Sequence, residues 1–140
     1  MDRNGSCLCG AVTFTAKGVS AEGSACHCGM CRRWAGGPWI GVSVESIEWQ
    51  KQDGLATIQS SKWAERGFCS RCGTGLFYRL TAEGKYHGVT SVSLGSLDDQ
   101  SGISLSKEWF IDKKPAAYSF EGDRQRITEA EVFAMFSGAS

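Results

Sequence analysis

Histidine and proline are scarce in this 140-residue chain, with two of each. Net charge is missing too, since 15 Lys and Arg balance 15 Asp and Glu. That balance excludes the broad basic footprint of a nucleic-acid binder, so no nucleic-acid partner is expected. No run approaches the roughly 18 apolar residues of a membrane-spanning helix, so no membrane association is expected either. The opening "MDRNGSCLCG" lacks the apolar stretch of a secretory leader. The expectation is therefore a cytoplasmic protein whose thiols stay reduced. Neither a Gly-rich phosphate loop nor a defensible Ser-His-Asp set occurs. There is no repeat at solenoid periods and no low-complexity tract.

What remains is rich in glycine, 18 residues, between short runs that favour strands. Strands are expected in 11–16 ("AVTFTA"), 39–44 ("WIGVSV"), 55–61, 63–69, 75–80 ("GLFYRL") and 86–94. Residues 23–26 lead a short strand into a cysteine cluster. "GMCRRWA" follows as one helical turn closed by Gly36-Gly37-Pro38. Residues 96–103 read as a loop and 107–115 as an edge strand ending in a Pro-bounded turn. Thr128 and Glu131 form a capping box for a C-terminal helix. Its apolar residues Val132, Phe133 and Phe136 are expected to pack on a sheet. No βαβ alternation and no internal linker occur. The chain reads as one mainly β domain over 1–140 with a short helix and a C-terminal helix.

The seven cysteines carry the chemistry. An odd count in a reducing compartment argues against disulfides, and the redox C-x-x-C motif belongs beside a βαβ pattern. Clustered thiols instead fit metal binding. In an extended segment Cys7 and Cys9 would point together, with Leu8 facing the core. Cys69-Ser70-Arg71-Cys72-Gly73 reads as a knuckle in which Gly73 lets the backbone fold close to the sulfurs. Four thiolates from these two segments would make a closed structural zinc site. Cys26, Cys28 and Cys31 would then form a three-ligand site with an open position, the arrangement of a metal that does chemistry. The spacing also permits another partition. The two C-x-x-C pairs could form one four-thiolate site, leaving Cys7, Cys9 and Cys26.

"GSCLCGAVTF", "CHCGMCRRWAG", "RGFCSRCGTGLFYR" and "SLGSLDD" together resemble the glutathione-dependent formaldehyde-activating enzyme family, from about Gly5 to Asp99. The resemblance implies a β-tent fold of twisted antiparallel sheets. It implies a structural zinc on Cys7, Cys9, Cys69 and Cys72 and a second, substrate-facing zinc on Cys26, Cys28 and Cys31. It also implies an S-hydroxymethylglutathione synthase-like carbon–sulfur lyase. Such an enzyme joins glutathione, or another small thiol, to formaldehyde or a related aldehyde.

Charge arithmetic points the same way. A divalent zinc with three thiolates is net negative, a poor Lewis acid for water or a carbonyl. It can still capture and deprotonate a thiol. The competing class is a zinc-stabilised binding module with both sites closed. It requires a fourth protein ligand on the second site, for which His87 is the candidate. A zinc-ribbon nucleic-acid binder is disfavoured by the neutral charge. His27 lies between two cysteine ligands, and alternation turns it away from their metal. Arg32 and Arg33 could hold substrate carboxylates or form a solvated face, and the same two readings apply to Arg66 and Arg71. Trp34, Trp39, Trp49, Trp63 and Trp109 read as core or pocket wall, and Asp98-Asp99 as a turn.

Overall fold

The structure is a computed structural model of the chain and describes residues 1–137. The strands are β1 (Arg3–Ser6), β2 (Val12–Lys17), β3 (Glu22–Cys26), β4 (Trp39–Val44), β5 (Ser46–Gln52) and β6 (Leu55–Gln59). They continue with β7 (Ala64–Cys69), β8 (Gly75–Leu80), β9 (Thr90–Ser93), β10 (Ser104–Trp109) and β11 (Gln125–Ile127). The described residues include two α-helices, α1 (Gly29–Ala35) and α2 (Glu129–Ser137). The strands form a three-stranded sheet, β1-β2-β5, and an eight-stranded sheet, β11-β10-β3-β4-β9-β8-β7-β6. The mainly β class with a short helix beside the second cysteine cluster is as expected. No helix among the described residues is long and apolar enough to cross a membrane.

One core joins the two sheets. Alternation along β2 buries Val12, Phe14 and Ala16. They meet Val42, Val44, Leu76, Phe77 and Val92 of the larger sheet. Trp49 on β5 completes the contact, with its ring 5.5 Å from Phe14 and 5.9 Å from Phe77. Gly67 on β7 has to be glycine, because a Cβ there would sit 2.0 Å from the Phe77 ring.

Several sequence expectations need correction. Most of the large sheet is antiparallel, but β10 runs parallel to both β3 and β11. It is therefore an interior strand, not an edge. It also stops at Trp109, because Phe110 adopts a left-handed backbone (φ 57°) and a 3-10 turn follows. Residues 85–88 form a turn and β9 begins only at Thr90, which leaves His87 exposed and outside any strand. β1, β5 and β11 were not read from the sequence at all. β1 ("RNGS") and β11 ("QRI") are short and polar, and β5 ("SIEWQKQ") is charged. The capping box of α2 forms, with Thr128 Oγ1 accepting from Glu131 N at 3.3 Å and Thr128 N donating to Glu131 Oε1 at 3.1 Å. Only Val132 of its apolar residues is buried. Phe133 packs edge-on against Phe110 and Phe136 against Tyr86, so the helix meets loops more than a sheet.

Candidate metal centres and the residues around them

The structure brings the seven cysteines into two groups. The ligand atoms of Cys7, Cys9, Cys69 and Cys72 lie within 4.8 Å of one another, as do those of Cys26, Cys28 and Cys31. This is the four-plus-three partition, and the two C-x-x-C pairs do not share a site. Either group could hold a metal ion, since soft sulfur donors at this separation match a thiolate-binding metal.

The four-cysteine group is built by two turns facing each other. Cys7 follows β1 and is buried, and its amide donates to Val12 O at 3.0 Å. The chain then turns at Leu8 and Cys9 and leaves through Gly10 (φ 79°). The extended C-x-C reading fails here, because Leu8 is 86% exposed and does not face the core. The sulfurs converge all the same, with Cys7 Sγ and Cys9 Sγ 3.7 Å apart. Cys69 ends β7, and the knuckle closes through Gly73 N donating to Cys69 O at 2.7 Å. Gly73 sits at φ 83°, the left-handed conformation expected of it. Leu8 N donates to Thr74 Oγ1 at 3.0 Å, which ties the two turns together. Hydrogen bonds from the Thr74 side chain and backbone pull the Cys72 thiol down to about 5.

The three-cysteine group spans the β3–α1 junction. Cys26 is the last residue of β3, Cys28 caps α1, and Cys31 lies in its first turn. The Cys31 amide points at Cys28 Sγ from 3.4 Å. Hydrogen bonds from Cys26 and then Cys31 hold the Cys28 thiol far below its ordinary range, to about 2, and push Cys26 up as the donor. Three thiols this close cannot all ionise alone, and a divalent cation removes that conflict. Gly36 ends α1 in the left-handed conformation, its amide donating to Arg32 O at 2.8 Å.

His27 is turned away from the sulfurs, as alternation requires, and is buried on the other side of β3. Its Nε2 lies 2.8 Å from Glu108 Oε1 and its Nδ1 lies 3.2 Å from the Tyr118 hydroxyl. Glu108 Oε2 accepts from Arg124 at 2.9 Å and from Arg126 at 3.1 Å. Burial alone would raise the Glu108 carboxyl, but hydrogen bonds from His27 and Arg124 outweigh it and hold it below the usual range.

The arginines sort cleanly. Arg32, Arg33 and Arg71 are exposed. Arg66 is buried at 2% exposure, and its Nη2 points at Cys31 Sγ from 3.4 Å. The rings of Trp34 and Tyr78 lie 5.0 and 4.9 Å from its guanidinium carbon. Burial pushes the Tyr78 hydroxyl up to about 12, against the nearby Arg66 charge, so it stays protonated. His87 belongs to neither cysteine group. Asp98 and Asp99 act in a turn, with Asp99 accepting from Ser101 N at 3.0 Å and pairing with Arg3. Trp39 donates to Ser93 Oγ at 3.0 Å, whereas Trp63 is half exposed and lines neither group.

Tyr78, Glu108 and Tyr118 were missed in the sequence. A glutamate in the polar run "SKEW" gives no sign of burial, and its partners lie from 16 to 81 residues away. Only the pairing of β10 with β3 and β11 brings them together.

Comparison with known proteins adds two findings. A protein from Schizosaccharomyces pombe described as an uncharacterized lyase is 29% identical over 129 residues, covering 91% of this chain and 92% of that protein. These relationships support an enzyme of the lyase class. The model of the glutathione-dependent formaldehyde-activating enzyme family matches residues 2–113, and the chain belongs to that family.

Proposed function

We propose that the chain forms and cleaves a hemithioacetal between a small thiol, such as glutathione, and formaldehyde or a related aldehyde. This would be carbon–sulfur lyase chemistry, run by one domain over 1–140 in the cytoplasm. In the forward direction the thiol sulfur bonds to the aldehyde carbon and the carbonyl oxygen gains a proton. The reverse breaks the carbon–sulfur bond.

The observation that carries this reading is the incomplete ligand set at Cys26, Cys28 and Cys31. Among the described residues no fourth Cys, His, Asp or Glu ligand atom joins the three. A closed binding module would need one, and its candidate His87 is exposed on a turn. When bound, zinc at this group would supply an open position for a thiol and the charge to deprotonate it. A second zinc at Cys7, Cys9, Cys69 and Cys72 would be structural.

The remaining work falls to the chain. β3 and α1 set the spacing of the three sulfurs. The Arg66 guanidinium beside Cys31 offsets the excess negative charge of a three-thiolate site. The His27–Glu108 pair anchors the residue between two of the ligands without touching the metal side.

Native mass spectrometry of anaerobically purified protein with glutathione tests the reading. Two zincs and one glutathione are expected, with hemithioacetal formation faster than the spontaneous rate. Cys28→Ser should lose one zinc and the rate enhancement together. Full turnover without that zinc would overturn the assignment.

A further inference from the structure

Arg66 is an anomaly in this fold. A buried guanidinium is normally matched by a carboxylate, as Arg124 is by Glu108. Arg66 has no acidic partner among the described residues. Its Nε donates to Ser60 Oγ at 3.2 Å and its Nη2 faces Cys31 Sγ. Its Nη1 is the one buried side-chain nitrogen or oxygen among the described residues without a hydrogen-bond partner. Leaving a charged donor in this state is costly, and the Cys31 contact accounts for Nη2 but not for Nη1.

The surroundings of Arg66 form a cleft. Arg66 forms part of the wall of a cleft of about 320 Å³, with Met30, Arg33, Trp34, Ile58 and Ser60. Two of these six residues are cationic and none is acidic. The apolar wall is open to solvent at Met30 (47% exposed) and Ile58 (48%). Trp34 and Tyr78 flank the guanidinium, so its donors are fixed in direction before any ligand arrives. One side of that guanidinium faces the Cys31 sulfur. A molecule with an anion on Arg66 and a thiol a few bonds away would therefore reach the three-cysteine group.

We infer that this cleft is the anion subsite of the thiol substrate, with Arg66 as the donor that binds a carboxylate and Arg33 as the outer cation. The inference rests on the thiol reading above and adds the residue that discriminates among thiols, favouring those with a carboxylate a short chain away from sulfur. Arg66 thereby selects among thiols, and neutral or cationic thiols of the same length bind more weakly. Nη1 is itself covered, so side chains of the cleft wall have to shift to admit the ligand to it.

Calorimetry on the metal-loaded protein tests this with four probes: 3-mercaptopropionate, 2-mercaptoethanol, cysteamine and propionate. 3-Mercaptopropionate should bind about tenfold or more tightly than 2-mercaptoethanol, the factor for one charge-assisted hydrogen bond. Cysteamine should bind weakest. Arg66→Gln should remove the preference for the anionic thiol while 2-mercaptoethanol still binds. Arg33→Gln, a change at an exposed site, should reduce the preference without abolishing it. Equal binding of anionic and neutral thiols to the unsubstituted protein would overturn the inference, whether or not Arg66→Gln folds. Propionate separates this inference from the thiol reading. Propionate binding that depends on Arg66, with no added affinity from the thiol group, would uphold the anion subsite and sink the thiol reading.

Discussion

His27 Nε2 lies 2.8 Å from Glu108 Oε1, and this buried pair fixes the residue that separates Cys26 from Cys28. A carboxylate only accepts, so Nε2 carries the ring proton. In the neutral ring Nδ1 then accepts from the Tyr118 hydroxyl. The His27 amide also donates to Trp109 O at 3.0 Å. Backbone and side chain together clamp the junction where β3 hands over to α1.

Truncating this clamp should be severe. Glu108→Ala leaves the buried His27 Nε2 without its acceptor and strips Arg124 and Arg126 of their carboxylate, leaving them only backbone acceptors. A loss of about 3–5 kcal/mol is expected for removing one member of a buried charged network. Urea unfolding of both proteins at neutral pH measures it.

The same carboxylate gives a pH dependence of definite sign. Its pKa is lowered in the folded protein, so folding gains from it at pH above the unfolded value of about 4.3. That gain is lost as pH falls through the lower folded value. In Glu108→Gln this component is absent. The stability gap between the two proteins should therefore narrow as pH falls from about 5 toward 3. Urea midpoints across that range check it, and a gap that widens on acidification would contradict the assignment.

The two cysteine groups should differ in what their loss does to the fold. The four-cysteine group joins turns some 60 residues apart, as in the 3.9 Å approach of Cys9 and Cys69. The three-cysteine group closes only a local junction. Closing a long loop removes more unfolded-state entropy than closing a short one. Cys69→Ser should thus lose one metal and lower the melting temperature sharply. Cys31→Ser should lose the other metal with a smaller drop. Metal content by mass spectrometry and calorimetric melting provide both readouts.

Gly67 offers a test of packing between the sheets. A methyl group there collides with the Phe77 ring, which itself packs on Trp49. Gly67→Ala should cost roughly 1–3 kcal/mol by overpacking. Gly95→Ala is the control, since nothing lies within 4 Å of a Cβ at that position. It should stay within about 0.5 kcal/mol of the parent. Denaturant midpoints of the two variants settle the comparison.

Legibility in the sequence followed the range of the interactions. "VTFTAK" alternates and became β2 with Val12, Phe14 and Ala16 inside, because burial of one sheet face imposes period two. "GMCRRWA" became α1 and ended at Gly36. Thr128 and Glu131 formed their capping box from residues three apart. The polar strands β1 and β11 were illegible, since both are too short and polar to show an alternation and only pairing with β2 and β10 defines them. Leu8 shows the limit of local reasoning. Apolar and flanked by two cysteines, it reads as a core residue on a strand, yet the turn that gathers the sulfurs places it in solvent.

By itself the sequence determined the mainly β class, the clustering of cysteines that could hold metal ions and the family. Each of these rests on residue type and short spacing, which local geometry turns directly into structure. The tertiary structure decided how the seven cysteines divide, because packing of the three-stranded sheet on the eight-stranded one brings the β1–β2 turn against the β7–β8 knuckle. It also decided that Arg66 and Glu108 are buried while Arg33 and His87 are not. Charged side chains carry no mark of burial in their own sequence. Whether one is held inside depends on the rings, sulfurs and counter-charges that distant strands bring to it.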